Sequence, residues 1–253
     1  MIAPHYALPL DHGCTVPRVA IRASPSHDAP ATSELLLGET FAMVDCGGEW
    51  AWGFCRHDAY VGYVPVAALG ATMAPSHVVT APAALVFAAP DIKSPVSARL
   101  PMGARLMVTA KAGDFLETAD GFVHHRHAQP LERPETDPVA VAARLIGTPY
   151  RWGGRSGDGI DCSGLVQLAH ALCGVALPRD SDQQRAALDH EVLLDGGLRR
   201  GDLIFLPGHV AIAADHDTVV HANAHWMATV SEPIAAMLAR LPDRGTARAR
   251  RLA

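Results

Sequence analysis

Short apolar runs interrupted by Gly, Pro and Asp fill the first 134 residues of the chain, and no helical period emerges among them. Such runs predict short β-strands, which we place at residues 35–44, 50–55 and 60–64. A similar order of apolar runs and Gly-containing turns returns at residues 104–110, 115–118 and 122–125. This weak internal repeat predicts two small all-β barrels in succession.

The pattern changes at Asp137-Pro138, where a helix-capping residue precedes a proline at the first helical position. We predict a helix there, in an apolar segment that ends at Gly147, and a second helix that begins at Asp161. Apolar residues three and four positions apart predict a buried stripe on the second helix. The stripe consists of Cys162, Leu165, Val166, Ala169, Leu172 and Cys173.

Beyond these helices, alternating apolar positions predict strands at residues 202–206, 209–214 and 218–222, followed by an amphipathic helix at 232–241. Helices followed by a run of strands indicate an α+β layer. A chain of 253 residues is long enough for two or three modules. With Pro-rich connections at 75–90 and 130–138, we predict one barrel at 1–72, a second at 73–134 and the α+β domain at 135–253.

Composition indicates a globular chain, because 49% of its residues are hydrophobic and 19% are charged. The formal charge of −5 gives no electrostatic reason to expect a polyanionic partner. The basic tail is short, and we predict no nucleic-acid binding. The tail consists of Arg244, Arg248, Arg250 and Arg251.

The N-terminal residues do not fit a secretory signal peptide, because no Lys or Arg precedes an apolar run and Pro4, Pro9 and Asp11 interrupt any such run. No apolar stretch approaches the roughly 20 residues that a membrane helix needs. Five cysteines at irregular spacings fit reduced thiols better than a disulfide framework. We therefore expect a soluble cytoplasmic protein without a membrane partner.

Cys162 is the first candidate for chemistry, because it follows the predicted cap Asp161 at the start of a helix. Unpaired amides and the helix dipole at such a position lower the pKa of a thiol and make it a better nucleophile. A buried structural cysteine is the alternative, since free Cys is among the most buried residue types. Cys173 lies further along the same helix, and we assign it to the core.

Two histidines on the predicted hairpin supply a possible base. A turn centred on Asp215 would place His209 directly opposite His221, close enough for one imidazole to orient the other. Nucleophile, base and orienting residue would then be Cys162, His209 and His221. The alternative is a pair of cross-strand histidines on a half-exposed sheet.

Fourteen histidines raise the question of a metal site. No His-Glu-x-x-His or Cys-x-x-Cys spacing accompanies them, and we predict no metal. The histidines considered are His124, His125, His127, His216, His221 and His225. We assign the acidic residues Asp180, Asp182 and Asp189 by default to a solvated helix face.

Several motifs occur together in the last module, over about residues 137 to 225. They read Gly147-Thr-Pro-Tyr-Arg-Trp-Gly-Gly154, Asp161-Cys-Ser-Gly-Leu-Val166, Leu177-Pro-Arg-Asp-Ser-Asp-Gln-Gln184, Gly201-Asp-Leu-Ile-Phe205, Gly208-His-Val-Ala-Ile212 and His221-Ala222. This segment resembles the NlpC-type cell-wall cysteine endopeptidases, which have a papain-like core. The resemblance implies that Cys162 attacks, His209 acts as base and His221 completes the triad.

The resemblance also implies that Tyr150 donates its hydroxyl, with the Cys162 amide, to an oxyanion hole. Asp161, Ser163 and Ser181 would line the substrate groove. The N-terminal half resembles the paired bacterial SH3-like barrels of the family's peptide-recycling branch, through Trp50, residues 60–63 and residues 35–39. In that branch a carboxylate pairs with the free amine of the substrate's L-Ala. Here Asp180 is the best match, with Glu39 and Tyr60 as further candidates.

The reaction that the resemblance implies is hydrolysis of the bond between γ-D-glutamate and a diamino acid of a murein peptide, through an acyl-enzyme and without a cofactor. Two other classes of function stay open. The chain could be a noncatalytic wall-binding protein, which the intact Cys162, His209 and His221 argue against. It could also be an acyltransferase or amidase on the same core, which differs only in the acceptor.

Overall fold

The computed structural model describes residues 8–252, so residues 1–7, on which most of the prediction about the N-terminus falls, lie outside the described part. The chain divides into two compact units between Glu132 and Arg133. Each unit has its own sheets and cores. Among residues 8–252, no helix combines the length and the apolar character needed to cross a membrane.

Seven strands form the first sheet of unit 1. They are β1 Leu10–Cys14, β2 Arg18–Arg22, β3 Ala31–Leu36, β4 Thr40–Gly47, β5 Trp50–Cys55, β6 Val61–Pro65 and β7 Leu69–Gly70, with a 3-10 turn at Val66–Ala68 before β7. The antiparallel order is β3-β2-β6-β5-β4-β1-β7. Cys14, Ile21, Leu35, Phe41 and Val64 are buried at its centre and form a small core.

The second half of unit 1 contains eight short strands. They are β8 His77–Val79, β9 Ala83–Phe87, β10 Val96–Pro101, β11 Arg105–Leu106, β12 Ala110–Ala112, β13 Phe115–Thr118, β14 Gly121–His124 and β15 Ala128–Pro130, with a 3-10 turn at His125–His127 before β15. They form a five-stranded sheet, β10-β9-β14-β13-β12, and a three-stranded sheet, β11-β8-β15. Val79, Val86, Leu100, Leu116 and Val123 belong to their common core. The prediction of an all-β N-terminal half is confirmed.

One predicted strand of unit 1 is wrong, because residues 35–44 form two strands and a turn. Gly38 adopts a φ of +75°, which favours glycine, and the chain reverses there between β3 and β4. The Glu39 carboxylate accepts a hydrogen bond from the Leu36 amide at 2.8 Å and closes this turn. The predicted strand therefore joined two apolar runs across the Gly38-Glu39-Thr40 interruption that forms the turn.

Unit 2 combines four helices with a six-stranded antiparallel sheet. Its helices are α1 Pro138–Ala143, α2 Cys162–Leu172, α3 Ser181–Ala186 and α4 Ile234–Ala239, with a 3-10 turn at Arg244–Thr246. Its strands are β16 Arg155–Ser156, β17 Gly159–Ile160, β18 His190–Val192, β19 Leu203–Leu206, β20 His209–Ala213, β21 Thr218–Asn223, β22 Ala228–Pro233 and β23 Arg248–Arg251. The sheet order is β18-β23-β19-β20-β21-β22, and β16 and β17 form a separate hairpin.

Both predicted helix starts are confirmed. The Asp137 carboxylate accepts from the amides of Val139 and Ala140, and the Asp161 carboxylate accepts from the Gly164 amide at 2.7 Å. Helix α2 is buried on almost all sides, because it packs between α1, the sheet and the β16 hairpin. The sequence predicted only one buried stripe on this helix.

Cys173 is the exception in that stripe, and its assignment to the core is wrong. It caps the C-terminal end of α2 and is half-buried, lining a surface cavity with His170 and Val175. Helix α2 has already ended there, so the three-and-four spacing no longer directs the side chain toward the core.

The predicted helix at 232–241 begins later than expected. Glu232 and Pro233 belong to strand β22, and helix α4 starts at Ile234. Two of the buried positions of β22 carry the polar side chains of Thr229 and Glu232. The segment therefore lacks the apolar alternation from which a strand is predicted. Strand β22 proves important because it brings Glu232 beside the histidine pair.

Candidate active site

Cys162 is the first residue of α2, and 7% of its surface is exposed. The loop before it packs closely on the helix: a Cβ at Gly164 would lie 2.3 Å from the Gly154 carbonyl oxygen. Only glycine fits at position 164 without moving this loop. The thiol thus lies at the start of a tightly packed helix, within reach of the Val210 amide of β20.

Burial raises the pKa of the Cys162 thiol, and the Asp161 carboxylate adds to the rise. Hydrogen bonds from the Val210 and Ser163 amides and the charge of Arg179 act in the opposite direction without cancelling it. The sequence predicted a lowered pKa from the helix start alone. The helix-start effect is present in the Ser163 amide, but burial outweighs it, so the resting thiol is neutral and needs a base.

His209 lies at the start of β20, next to the Val210 amide that contacts the thiol. Its Nε2 lies 2.8 Å from Nδ1 of His221, and the two rings meet edge to face at 66°. The other ring nitrogen of His209, Nδ1, takes no part in this hydrogen bond. The prediction that the two histidines lie within hydrogen-bond reach of each other is confirmed.

The predicted register of this hairpin is wrong by two residues. Ile212 pairs with Val220 and Ala213 with Val219, because the turn spans Ala214 to Thr218 rather than centring on Asp215. Continuing this register makes His209 and His221 diagonal neighbours, which long aromatic side chains still bridge.

Burial lowers the pKa of His209 to about 3, with smaller contributions in the same direction from the nearby His221 and Arg240 side chains. Burial also lowers the pKa of His221, against the effect of Glu232. Both imidazoles are neutral in the resting site. A neutral imidazole beside a neutral thiol is the arrangement that general-base activation of a nucleophile requires.

A second set of side chains surrounds the other edge of the His221 ring. Glu232 on β22 and Asn223 on β21 are both buried, and Glu232 Oε1 lies 2.8 Å from His221 Nε2. Trp226 and Arg240 also donate to the Glu232 carboxylate. Sequence reasoning missed all four residues, and it assigned Glu232 to a helix instead of a strand.

Tyr150 is coupled to the same site. Burial raises the pKa of its hydroxyl to about 12, and the nearby Cys162 and Asp161 side chains add to the rise. The hydroxyl is therefore protonated and able to donate a hydrogen bond. Its role in an oxyanion hole stays a prediction.

The predicted groove residues Asp161 and Ser163 are buried and bound to Arg179. Two guanidinium nitrogens lie 2.9 and 2.6 Å from the two Asp161 oxygens, and one lies 2.9 Å from Ser163 Oγ. Asp161 Oδ2 also accepts from the Gly153 amide. This network holds the start of α2 in place, and substrate contact by Asp161 and Ser163 stays a prediction. Sequence reasoning did not single out Arg179.

Asp180 and Ser181 lie at the start of α3 and are partly exposed. Gln184 in the same helix donates to the Ser163 carbonyl at 3.0 Å and to the Pro178 carbonyl at 2.9 Å. These bonds attach α3 to the first turn of α2, the turn that carries Cys162. A cavity of about 200 Å³ borders the histidine pair and is also lined by Asn223 and Arg240.

The candidates in unit 1 have local roles of their own. Glu39 closes the β3–β4 turn, and its Oε1 lies 3.8 Å from His57 Nε2. Tyr60 packs partly buried against the core of the first sheet. Their contact with substrate stays a prediction. Donor atoms of Cys55, His57 and Asp58 lie within 4.8 Å of one another, an arrangement that could hold a metal ion.

Two family models match the sequence. Residues 147–238 match the NlpC/P60 family, and residues 21–69 match the bacterial dipeptidyl-peptidase Sh3 domain. The first match contains Cys162, His209, His221 and Glu232, and the second contains Glu39 and Tyr60.

The chain is also similar to curated peptidases. It is 45% identical to dipeptidyl-peptidase 6 of Lysinibacillus sphaericus over 85 residues, 34% of this chain and 31% of that protein. It is 26% identical to a gamma-D-glutamyl-L-lysine dipeptidyl-peptidase of Bacillus cereus over 227 residues, 75% of this chain and 66% of that protein. The chain thus spans between about a third and just under two thirds of these relatives.

Among solved structures, the fold is similar to the crystal structure of an NlpC/P60 family protein from Bacillus cereus. The TM-score is 0.80 with 20% sequence identity, and the match covers 96% of this chain and 99% of that one. The match supports the fold: SH3-like β domains followed by a papain-like domain.

Proposed function

Because this chain carries an NlpC/P60 domain preceded by a bacterial dipeptidyl-peptidase SH3 domain, we propose that it is a cell-wall cysteine peptidase that hydrolyses the γ-D-glutamyl-diamino acid bond of murein peptides. One observation carries the proposal. His209 Nε2 lies 2.8 Å from His221 Nδ1. The residue after His209 on β20 is Val210, and its backbone amide donates a hydrogen bond to the Cys162 thiol. The thiol on α2, the base on β20 and the orienting histidine on β21 thereby form one candidate site.

In the proposed reaction, His209 Nδ1 takes the proton of Cys162, and the thiolate attacks the γ-carbonyl carbon of D-glutamate. A carbon–sulfur bond forms, and the carbonyl π electrons move to oxygen. The oxyanion accepts hydrogen bonds from the Cys162 amide and the Tyr150 hydroxyl. On collapse, the carbon–nitrogen bond breaks, and His209 gives its proton to the leaving amine of the diamino acid.

Water then hydrolyses the acyl-enzyme. His209 removes a proton from the water as it attacks the thioester carbon, and returns that proton to the Cys162 sulfur as the carbon–sulfur bond breaks. The product acid leaves with a free γ-carboxylate. His221 keeps the His209 ring in one orientation through both half-reactions. Each step uses only groups of this chain, substrate and water.

The proposal extends to substrate choice. Asp180 directly precedes the helix that Gln184 attaches to the first turn of α2. We assign its carboxylate to the free N-terminal amine of an L-Ala-γ-D-Glu-diamino acid peptide. The resemblance adds Glu39 and Tyr60 as candidates for the same recognition. The curated relative named gamma-D-glutamyl-L-lysine dipeptidyl-peptidase supports a short peptide substrate.

We further propose action in the cytoplasm on peptides already released from the wall. The five cysteines, all within the described residues, form no disulfide bond, which fits a reducing compartment. Separating cytoplasm from envelope in the native host, followed by detection of the protein, tests this part of the proposal. Recovery of the protein in the envelope fraction would contradict it.

Mass spectrometry of L-Ala-γ-D-Glu-diaminopimelate after incubation with the protein tests the reaction. Release of the L-Ala-D-Glu dipeptide and free diamino acid is expected from the wild type and from Cys173→Ala, which removes the thiol that follows the C-terminal end of α2. No release is expected from Cys162→Ala. Transfer of the acyl group to an added amine would indicate an acyltransferase, and binding without turnover would indicate a noncatalytic wall-binding protein.

A further inference from the structure

The His221 imidazole lies between two partners on neighbouring strands. Its Nδ1 lies 2.8 Å from His209 Nε2, and its Nε2 lies 2.8 Å from Glu232 Oε1. In the β21–β22 ladder His221 pairs with Val230, so Glu232 is its diagonal neighbour two residues along. His209, His221 and Glu232 therefore lie on one face of three adjacent strands.

Glu232 carries a negative charge in this setting. Burial raises the pKa of its carboxyl, but hydrogen bonds from Arg240, Trp226 and His221 outweigh burial and hold the pKa below its usual range. Arg240 donates to both carboxylate oxygens, and Trp226 Nε1 donates to Oε2 at 3.3 Å. An ionised carboxylate accepts hydrogen bonds and cannot donate one.

The charge of Glu232 determines which nitrogen of His221 is protonated. Because Glu232 Oε1 can only accept, the neutral His221 ring must hold its proton on Nε2. Asn223 Nδ2 lies 2.9 Å from that nitrogen and 3.5 Å from Glu232 Oε1. Its amide orientation is fixed by the Trp226 backbone N–H, which donates to Oδ1, so Nδ2 donates to the carboxylate.

The tautomer of His221 also determines the tautomer of His209. With its proton on Nε2, His221 presents an unprotonated Nδ1, which accepts the Nε2–H of His209. The neutral His209 ring then has its lone pair on Nδ1, the nitrogen left for Cys162. In the opposite tautomer of His221, Nδ1–H would donate to His209 Nε2, and the proton of His209 would move to Nδ1. That form cannot take a proton from the thiol.

We propose that Glu232 is a positioning residue that keeps the proton of His221 on Nε2, so that His209 holds an unprotonated Nδ1 for Cys162. The inference rests on the proposed role of Cys162 as nucleophile. It gives Glu232 a role that the proposed function does not include. Arg240 holds the carboxylate in place and keeps it ionised.

The test compares Glu232→Gln with Arg240→Gln and with Glu191→Gln, which changes an exposed glutamate on β18. The first readout is the nitrogen-15 NMR spectrum of the histidine rings, which distinguishes protonated from unprotonated ring nitrogens. The second is the rate at which iodoacetamide alkylates Cys162, followed by peptide mapping so that the other thiols do not contribute. Neither readout needs the peptide substrate.

In the wild type we expect His221 to be protonated on Nε2. In Glu232→Gln the amide can donate to His221, the proton is expected to move to Nδ1, and Cys162 alkylation near neutral pH should slow at least about ten-fold. Arg240→Gln leaves a carboxylate beside His221 and should keep the wild-type tautomer with a smaller loss. Glu191→Gln should match the wild type in both readouts.

An unchanged tautomer and alkylation rate in Glu232→Gln would overturn the inference. Equal losses of alkylation rate in Glu232→Gln and Arg240→Gln would also overturn it, because the ion pair of Glu232 and Arg240 would then have a structural role only. Thermal unfolding of each variant identifies any fold defect. In a variant that folds normally, the tautomer of His221 decides whether the inference holds. If the wild type fails to cut the peptide while alkylation still depends on Glu232, the proposed substrate fails and this inference stands.

Discussion

Arg179 lies buried against Asp161, with a hydrogen bond to each oxygen of the carboxylate that caps the helix carrying Cys162. The Arg179 side chain is 1% exposed and that of Asp161 is 8% exposed. A buried ion pair with this geometry contributes little relative to an apolar pair, but removal of one partner leaves an uncompensated charge. The pair therefore connects the stability of unit 2 to the position of the candidate nucleophile.

Arg179→Met should lower the free energy of unfolding by about 3 to 5 kcal/mol, because Asp161 would remain buried without its cation. Turnover should fall as well, since Asp161 would move away from the Gly164 amide. Chemical denaturation and peptide hydrolysis measure the two effects. Arg185→Met, on the exposed side of α3, is the control and should behave like the wild type. Equal stability of the two variants would show that the ion pair does not support the fold.

Cys162→Ala and His209→Ala should each lower kcat by about a thousand-fold or more, because thiol and imidazole act as a unit and neither replaces the other. The fold should persist in both variants. Steady-state hydrolysis measures the loss, with Cys46→Ala as a control that removes an exposed thiol. Near-normal turnover of either variant, with an unchanged melting curve, would exclude this pair as the reacting groups.

His221→Gln should retain more activity than His221→Ala. A glutamine can accept the His209 hydrogen bond with its oxygen and donate to Glu232 with its nitrogen, whereas alanine leaves both partners unsatisfied. The ratio of kcat between the two variants is the measurement, at matched melting temperatures. An orienting role for His221 fails if the two variants lose activity equally.

The stability of unit 2 should fall in mildly acidic solution. Burial lowers the pKa of His170, His209 and His221 in the folded state. Below the unfolded value near 6.5, the unfolded chain therefore binds more protons than the folded chain, and the free energy of unfolding decreases as the pH falls toward about 3, the folded value of His209. Denaturation midpoints between pH 7 and pH 4 measure this loss.

His209→Gln should remove part of that pH dependence, because one of the groups that titrate on unfolding is then absent. His216→Gln is the control, since His216 is exposed on the hairpin turn. A pH profile that is identical in the wild type and His209→Gln would contradict the buried, neutral state of His209.

Local signals explain what the sequence could predict. Asp161 caps α2 and the three-and-four spacing follows it directly, so the helix and the place of Cys162 could be predicted without any distant contact. The motif order then placed His209 and His221 in the site by resemblance. Each of these signals lies within a few residues of the side chain it locates.

Distant contacts explain what the sequence could not predict. Glu232 is buried in a strand where His221, Trp226 and Arg240 bind its carboxylate. None of these partners lies on β22, so the sequence pattern gave no sign of them and the polar side chain resembled a helix start. Arg179 is likewise buried against a carboxylate 18 residues away. The hairpin register was missed by two residues because the turn geometry, rather than the apolar pattern, sets it.

Substrate selection gives the last prediction, which concerns the free amine of the L-Ala residue. Asp180 is partly exposed at the start of α3, and Gln184 of that helix donates to the Ser163 carbonyl beside Cys162. A carboxylate that pairs with an ammonium group in a closed site rejects an acylated substrate, because acylation leaves the carboxylate unpaired, at a cost of about 3 to 5 kcal/mol.

We therefore expect rapid cleavage of L-Ala-γ-D-Glu-diaminopimelate and cleavage of its N-acetyl form slower by at least about a hundred-fold, a conservative share of that cost. Asp180→Asn should reduce this ratio by slowing the free-amine peptide, whereas Asp189→Asn, which changes an exposed acid after α3, should preserve it. Glu39→Gln and Tyr60→Phe test the two candidates of unit 1 in the same assay. Because kcat/KM for the two peptides is compared within each variant, a general loss of activity cancels from the ratio. Equal rates on both peptides in the wild type would exclude amine recognition and assign Asp180 to a solvated helix start.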